Sequence, residues 1–599
     1  MAIWIRHPSL PRTVFLSLIL ASALWATASG RSSTPPNAGS FDGPAELPRE
    51  YVKSTLSDTP AGGKTWTVRP EQSLDQILAG AACGDILQLQ AGSTFTGNFV
   101  IPAKNCDDSH WIIIRTSAAD SSLPAEHHRL RPCYAGVSSM PGRPSLNCAS
   151  SNNVMARIEF NGKSGSGPLT FAAGANHYRL IGLEITRAAS PNPVYDLIQF
   201  AGAAHHLVFD RLWVHGAAQL ETVRGIALGS SRYVAVVDSF FTDFHCIAKS
   251  GSCGDTQAIG GGLGDKPMGP YKIENDFLEA SGENILFGGG FATTAPADIE
   301  IRRNHMFKPS IWMRGQSGYA GGADGNPYIV KNLLELKNAQ RVLIEGNIME
   351  NSWGGFSQVG FAILLTPKNQ GGKGGINLCP ACQVTDVTIR YSSISHVAAG
   401  LQIANALAGT GAAQDGERYS IHDLEFDDID GSKYGGPGVF AQISVTPGAP
   451  LLQNLTINHV TAFPPSMLFM VGDMVATSSP IKNFIFTNSI VNAGAHPVWS
   501  TGGGPANCAF HNSPLTTFNA CFSNSTFASN VVIATPATPW PSGNSFPGSA
   551  SAVRFVNYNN GNGGDYHLQA SSPFKAKAAD GKDPGADIDA IRSATAGVE

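Results

Sequence analysis

Apolar and polar positions alternate in short runs along most of this chain, and the runs return every few dozen residues. Residues 298–307 read DIEIRRNHMF, 330–353 read VKNLLELKNAQRVLIEGNIMENSW, and 361–367 read FAILLTP. Alternation of this kind marks a half-buried strand. Many of the runs are closed by Asn or Asp, as at Asp210, Asp238, Asn275, Asn304, Asn347, Asn458 and Asn488. Both residues tolerate the left-handed conformation and bond their own backbone, so they suit a sharp corner between two strands. A second run follows in most repeats, for example ENILFGGG, GLQIAN and VFAQISV. A strand–corner–strand unit stacked on its own copies is a solenoid. The pattern predicts an all-β chain: a single-stranded parallel β-helix over 64–599, with caps at both ends.

A short amphipathic helix is expected from Ser73 to Leu78, with Ser73 as its N-cap, closing the first coil. Before it lie two segments of another kind. Arg6, His7 and Arg12 precede an apolar run over 14–24, followed by Ala26-Thr27-Ala28. That is the layout of an export signal over 1–28, too short to span a bilayer comfortably. The stretch 29–63, rich in Ser, Pro and Gly, reads as a flexible leader.

Composition narrows the field. Charged residues make up only 14% of the chain and Gly accounts for 66 positions, which disfavours helical bundles and suits tight turns. The formal net charge of −5 and the lack of a basic stripe argue against nucleic acid. Ten cysteines in an exported chain point to disulfides. Near neighbours would pair Cys83 with Cys106, Cys133 with Cys148, Cys246 with Cys253, Cys379 with Cys382 and Cys508 with Cys521, although spacing does not fix connectivity. The Cys379-Pro-Ala-Cys382 motif is read as a loop staple, because no thioredoxin-like βαβ context surrounds it. A secreted, periplasmic or extracellular monomer without a membrane span after signal cleavage is expected.

The blocks SGENILFGG at 281–289, DIEIRRNH at 298–305, KNLLELKNAQRVLIEGN at 331–347 and ENSW at 350–353 resemble the pectate-lyase-like right-handed β-helix superfamily. Within it the chain looks most like secreted bacterial β-helix repeat proteins of unassigned activity. The resemblance spans roughly 64–590. It implies a right-handed coil, an acidic polysaccharide as partner, elimination or hydrolysis as reaction, and calcium as a cofactor of several members. It carries over no catalytic residue. The Gly-His-Gly of the polygalacturonase-like hydrolases is missing, Asp427-Asp428 stands without its partners, and no Arg-x-Pro-x-x-Arg of the pectate lyases is present.

The candidate chemistry therefore comes from aligning the second strands. Arg224, Asp255 or Gln257, Glu283, Lys331 and Gln358 fall in one column, with strand spacing between neighbours. Elimination from a uronate needs its carboxylate neutralised and a base at C5. Lys331 is assigned as the base, Arg224 or Arg303 as the carboxylate clamp, and Asp255 with Glu283 as calcium ligands. The same two carboxyls are the best pair for a hydrolase. Trp312, Tyr319 and Trp353 are placed as sugar-stacking residues, with Gln358 beside them. The groove is expected between the inserts 289–297 and 313–327. Two plainer readings compete: a solvated ladder of salt bridges on a scaffold, and a binding protein without turnover.

Overall fold

The computed structural model describes residues 40–248, 253–355, 358–408, 411–472, 480–501 and 507–598. The export signal lies outside the described residues. Among those described, two long parallel sheets dominate, one of 25 strands that includes a corner and one of 12 strands. The chain is a right-handed parallel β-helix.

Its core is a set of continuous apolar rows. In the larger sheet, Ile273, Ile301, Ile344, Ile389, Ile421 and Ile457 stand on successive rungs. In the smaller sheet the matching row is Ile198, Ile226, Ile259, Ile285, Leu334 and Ile363. All are buried to within 1%. Each such side chain contributes roughly 1.5–3 kcal/mol by leaving water, but only if the rung above and below is in place.

The corners explain the Asn and Asp residues. Asp238, Asn275 and Asn488 adopt φ of +55°, +60° and +56°. One residue on from this corner, Asn304 and Asn347 turn inward instead and form a ladder. The Asn304 amide N–H donates to Asn347 Oδ1 at 2.9 Å, and the Asn347 side chain donates to the Ile301 carbonyl. A second corner, at the start of the larger sheet, also stacks left-handed residues. Asp298 pairs with Arg341 at 2.7 Å, Asp386 pairs with Arg418 at 2.7 Å, and Asn524 donates to Asn483, which donates to Asn454.

Ser73 caps a helix over Leu74–Gly80, whose Leu74 and Leu78 are buried in the core. All five near-neighbour cysteine pairs are disulfides.

The leader is corrected by the structure. From Ser40 onward it is laid along the larger sheet. Asp42 pairs with Arg390 and His422, the Glu46 N–H donates to Asp386, and the Arg49 N–H donates to Asp298. Further back, Tyr233 donates to Glu50, and Arg179 donates to the carbonyls of Ser54 and Thr55. Ala45, Leu47 and Val52 are buried beneath it. Local composition hides this, because every partner is a polar residue distant in sequence. At the other end a helix over Ile588–Thr595 buries Ile588 and Ile591. Arg303 donates to the carbonyls of Ala594 and Ala596 at 2.6 and 2.7 Å, where helix carbonyls lack internal donors.

Ile344→Asp should lower stability by more than about 4 kcal/mol, because an unpaired carboxylate would enter a dry row. Ile485→Asp, on a position 36% exposed, should cost less than about 1 kcal/mol. Urea unfolding followed by circular dichroism checks the contrast.

Candidate active site groove

Part of the charged column is in register on the smaller sheet, whereas Lys331 and Gln358 precede their strands, Leu334–Leu336 and Phe361–Leu365, and are not register partners in it. Asp196, Arg224, Gln257 and Glu283 are register partners in turn. Arg224 pairs with Asp196 at 2.8 Å and donates through Nε to Gln257. Gln257 donates to Glu283 Oε2 at 2.9 Å. Lys331 then lies between two carboxylates, 3.3 Å from Glu283 Oε1 and 3.1 Å from Asp255 Oδ2. Lys337 pairs with Glu335 at 3.0 Å.

Local sequence sets Glu283 in place. A Cβ at Gly282 would collide with the Thr256 carbonyl of the preceding coil, so only glycine lets this strand come so close. Lys308, fully buried, donates to the carbonyls of Ala280 and Gly282 and to Asn284 Oδ1. Those acceptors flank Glu283 on both sides. Burial pushes the Lys308 ammonium down to about 7.

Electrostatics separates the two carboxyls. Burial and the charge of Glu283 push Asp255 well above the usual carboxylate range. Burial acts on Glu283 in the same sense, but its hydrogen bond with Asp255 and the ammoniums of Lys331 and Lys337 outweigh it and hold Glu283 well below that range. The two carboxyls are thus shifted in opposite directions, Asp255 up and Glu283 down, the division expected of two carboxyls sharing one site. Burial opposes the Lys331 ammonium, yet Glu283 and Asp255 more than compensate and raise it. Lys331 therefore keeps its proton, and its assignment as a base is corrected.

A groove of about 400 Å³ opens beside this cluster, lined by Asp255, Lys331, Glu335, Lys337, Gln358 and Lys368, with Gln402 and Gln442 beyond. Its floor is one outward row, Glu335, Leu364, Gln402 and Gln442, on consecutive rungs. Gln402 donates to Gln442 at 2.8 Å. The walls come from Thr366, Pro367, Gln370, Leu407 and Thr446. Lys368 faces this space without a carboxylate partner among the described contacts. Burial and the nearby Lys337 push it below the ordinary lysine range.

The structure thus brings Asp255, Glu283, Lys331 and Gln358 to one place. Arg224 joins only through Gln257 and does not line the groove. Arg303 is elsewhere, on the larger sheet against the C-terminal helix. Trp312 and Trp353 are 2% and 5% exposed, packed with Tyr328, Val330 and Tyr434. Tyr319 is half-buried in the same insert, away from the groove lining. Of the two expected walls only Gly289 contributes. Aromatics in that long insert satisfy themselves on each other and on Arg143, which lies 5.3 Å over the Trp312 ring. Sequence reasoning missed Lys308, Lys368, Gln402 and Gln442. The two glutamines were within reach, as outward positions of GLQIAN and VFAQISV. Lys368 sits in a loop without period and carried no signal.

Asp255 and Glu283 do not fit a resident calcium ion. The Lys331 ammonium already lies between them, and two carboxyls fall short of the six to eight oxygens calcium takes.

No family model matches this chain, and no curated protein does. Solved structures that resemble it include a mannuronic acid-specific family 6 polysaccharide lyase from human gut microbiota, 11% identical with a TM-score of 0.47 over 81% of this chain and 91% of that one. A pectate lyase is 13% identical with a TM-score of 0.35, over 88% and 97%. A family 28 exopolygalacturonase of Yersinia enterocolitica is 10% identical with a TM-score of 0.37, over 81% and 78%. At these values none assigns a role to any residue here.

Lys331→Met should destabilise the protein by roughly 3–5 kcal/mol, because it strands the buried Glu283 charge. Adding Glu283→Gln should return most of that loss. Asp255→Asn, which mimics the protonated acid, should cost less than about 1 kcal/mol at neutral pH. Thermal melts of the three variants and the double variant check the cycle.

Proposed function

We propose that this protein is an exported carbohydrate-active β-helix that binds an acidic glycan in the groove and cleaves it by β-elimination. The observation that carries this reading is Lys368, a cation without an ion-pair partner among the described contacts, lining the same groove as Asp255, whose hold on its proton is strengthened by burial and by Glu283. Elimination needs one group to take a proton, another to give one, and a cation on the uronate carboxylate. Lys368, with its lowered proton affinity, removes the C5 proton. The ammoniums of Lys331 and Lys337 neutralise the carboxylate that stabilises the carbanion. The C4–C5 double bond forms as the C4–O4 bond breaks, and Asp255 gives its proton to the departing oxygen. Glu283 touches no substrate and acts by keeping Asp255 protonated.

Gln402 and Gln442 offer neutral donors and acceptors on adjacent rungs of the floor, about 4.8 Å apart, and Gln358 adds another on the groove lining. That spacing suits a sugar chain lying along the coil axis. Hydrolysis by the pair Asp255 and Glu283 is disfavoured, because Glu283 has no exposed surface from which to activate water. Five disulfides favour an oxidising compartment. Among the described residues no helix is long and apolar enough to cross a membrane.

Incubation with polyuronates and with neutral glycans tests the reading, with ultraviolet absorbance reporting unsaturated ends. Unsaturated products are expected from a polyuronate, and new reducing ends without unsaturation would overturn elimination. Lys368→Ala should lower kcat by about 10²–10⁴ with little change in melting temperature. Lys368→Arg should not restore it, because a guanidinium does not give up its proton. The rate should rise with pH as Lys368 loses its proton, below the ordinary lysine range, and fall as Asp255 loses its own.

A further inference from the structure

A second cluster lies away from the groove, at the corner that opens the larger sheet near the N-terminal coils. His177, His206 and Tyr233 stack there on consecutive coils, each with positive φ of +56°, +56° and +51°. The ring centroids of His177 and His206 are 4.7 Å apart with their planes 11° from parallel, and Tyr233 stacks on His206 with centroids 4.5 Å apart. Asp108, on the loop that follows the Cys83–Cys106 disulfide, reaches over the outer edge of His177. Farther along this corner the side chains find complementary neighbours, Asp298 with Arg341, Asp386 with Arg418, and the Asn454, Asn483 and Asn524 ladder.

The histidine rungs differ. Asn176 donates its amide N–H₂ to the carbonyls of Lys104 and Gly174, at 2.7 and 2.9 Å, which fixes the direction of the amide. Its Oδ1 must then accept from His177 Nδ1, 2.7 Å away. The hydrogen of a neutral His177 is therefore on Nδ1, and Nε2 presents a lone pair to the Asp108 carboxylate at 3.1 Å. Two acceptors then face each other, and either a second proton on the ring or a metal ion between them would satisfy both. His206 Nδ1 meets His205 Nδ1 at 2.8 Å, where one ring must donate to the other. With His206 as donor, its Nε2 is a second free lone pair. One ligand atom each from Asp108, His177 and His206 lies within 4.8 Å of the others.

We propose that Asp108, His177 and His206 form a binding site for a zinc-class dication, with an open fourth position. Two imidazoles and one carboxylate suit a borderline metal with tetrahedral preference and do not suit calcium, which takes oxygen ligands. Rotation of the exposed Asp108 and a tilt of the two rings close the shell to bonds of about 2.0–2.2 Å. The Asn176 contact is the outer-shell hydrogen bond that orients a ligating histidine. The metal would staple the 106–111 loop to two coils. This site is independent of the groove chemistry.

Calorimetric titration of the full, disulfide-intact protein with zinc chloride tests the proposal. The visible spectrum of the cobalt(II) form and the melting temperature serve as further readouts. One equivalent should bind, with a tetrahedral cobalt spectrum and a raised melting temperature. His177→Ala and Asp108→Asn should each weaken binding at least tenfold, the order of loss that even an outer-shell change brings, about 10–100-fold. Asp108 is largely exposed, so its variant keeps the fold and separates ligand loss from unfolding. Absence of stoichiometric zinc binding would overturn the site, as would binding that survives both substitutions. A calcium response lost in His177→Ala would overturn the metal class.

Discussion

Each coil of this molecule is held to the next by parallel main-chain hydrogen bonds that admit one register, because a slip of one residue would turn every inward isoleucine to solvent. The row from Ile273 to Ile457 has no other way to stay dry. Register then imposes itself on everything outside the core. Whatever residue stands at a given place in one coil meets the residue at the same place in the next. Like or complementary side chains accumulate into columns: asparagines at the corners, alternating Asp and Arg at Asp298, Arg341, Asp386 and Arg418, stacked rings at His177, His206 and Tyr233. Chemistry on such a fold is a property of columns.

The groove shows what burial does to a column. Glu283 and Lys331 are far apart in the chain and form an ion pair in which Glu283 has no exposed surface and Lys331 little. Removing water makes the pairing strong, and it also decides roles. The neighbouring carboxyls strengthen the hold of Lys331 on its proton, and burial with the Glu283 charge does the same for Asp255. Lys368, one loop away, forms no ion pair among the described contacts, and burial with the nearby Lys337 outweighs the pull of Glu335 on its proton. Lys308, buried behind the strand, holds the carbonyls on either side of Glu283 and so keeps the arrangement from relaxing.

Both ends of the described chain return to the larger sheet. Residues from Ser40 to Thr59 run back across it, tied by Asp42, Glu46 and Arg49 to corner residues of later coils, while the helix Ile588–Thr595 gives its terminal carbonyls to Arg303. A solenoid has weak contacts between distant coils, since each coil touches only its neighbours. These two segments add the long-range contacts that the stacking itself lacks, and they leave the smaller sheet, with its groove, open.

Sequence by itself determined the architecture. Period-two runs such as RVLIEGNIM, corners at Asn275 and Asn488, and near-neighbour cysteine pairs are local patterns, and hydrophobic burial with main-chain bonding leaves them one outcome. It also located the core of the candidate site, since aligning second strands is the same operation that the coil performs in space; Asp255, Glu283, Lys331 and Gln358 did converge. What only the tertiary structure decided is what depends on distance between segments far apart in the chain. Composition made 40–63 look unstructured because its partners are remote polar residues. Trp312 and Trp353 had the character of sugar platforms, yet both are buried in a cluster with Tyr328, Val330 and Tyr434, residues remote from at least one of them in the chain. Lys331 and Lys368 are the same residue type; which one keeps its proton depends on how many carboxylates the fold sets beside it and how much water it removes, and neither quantity is written in the local sequence.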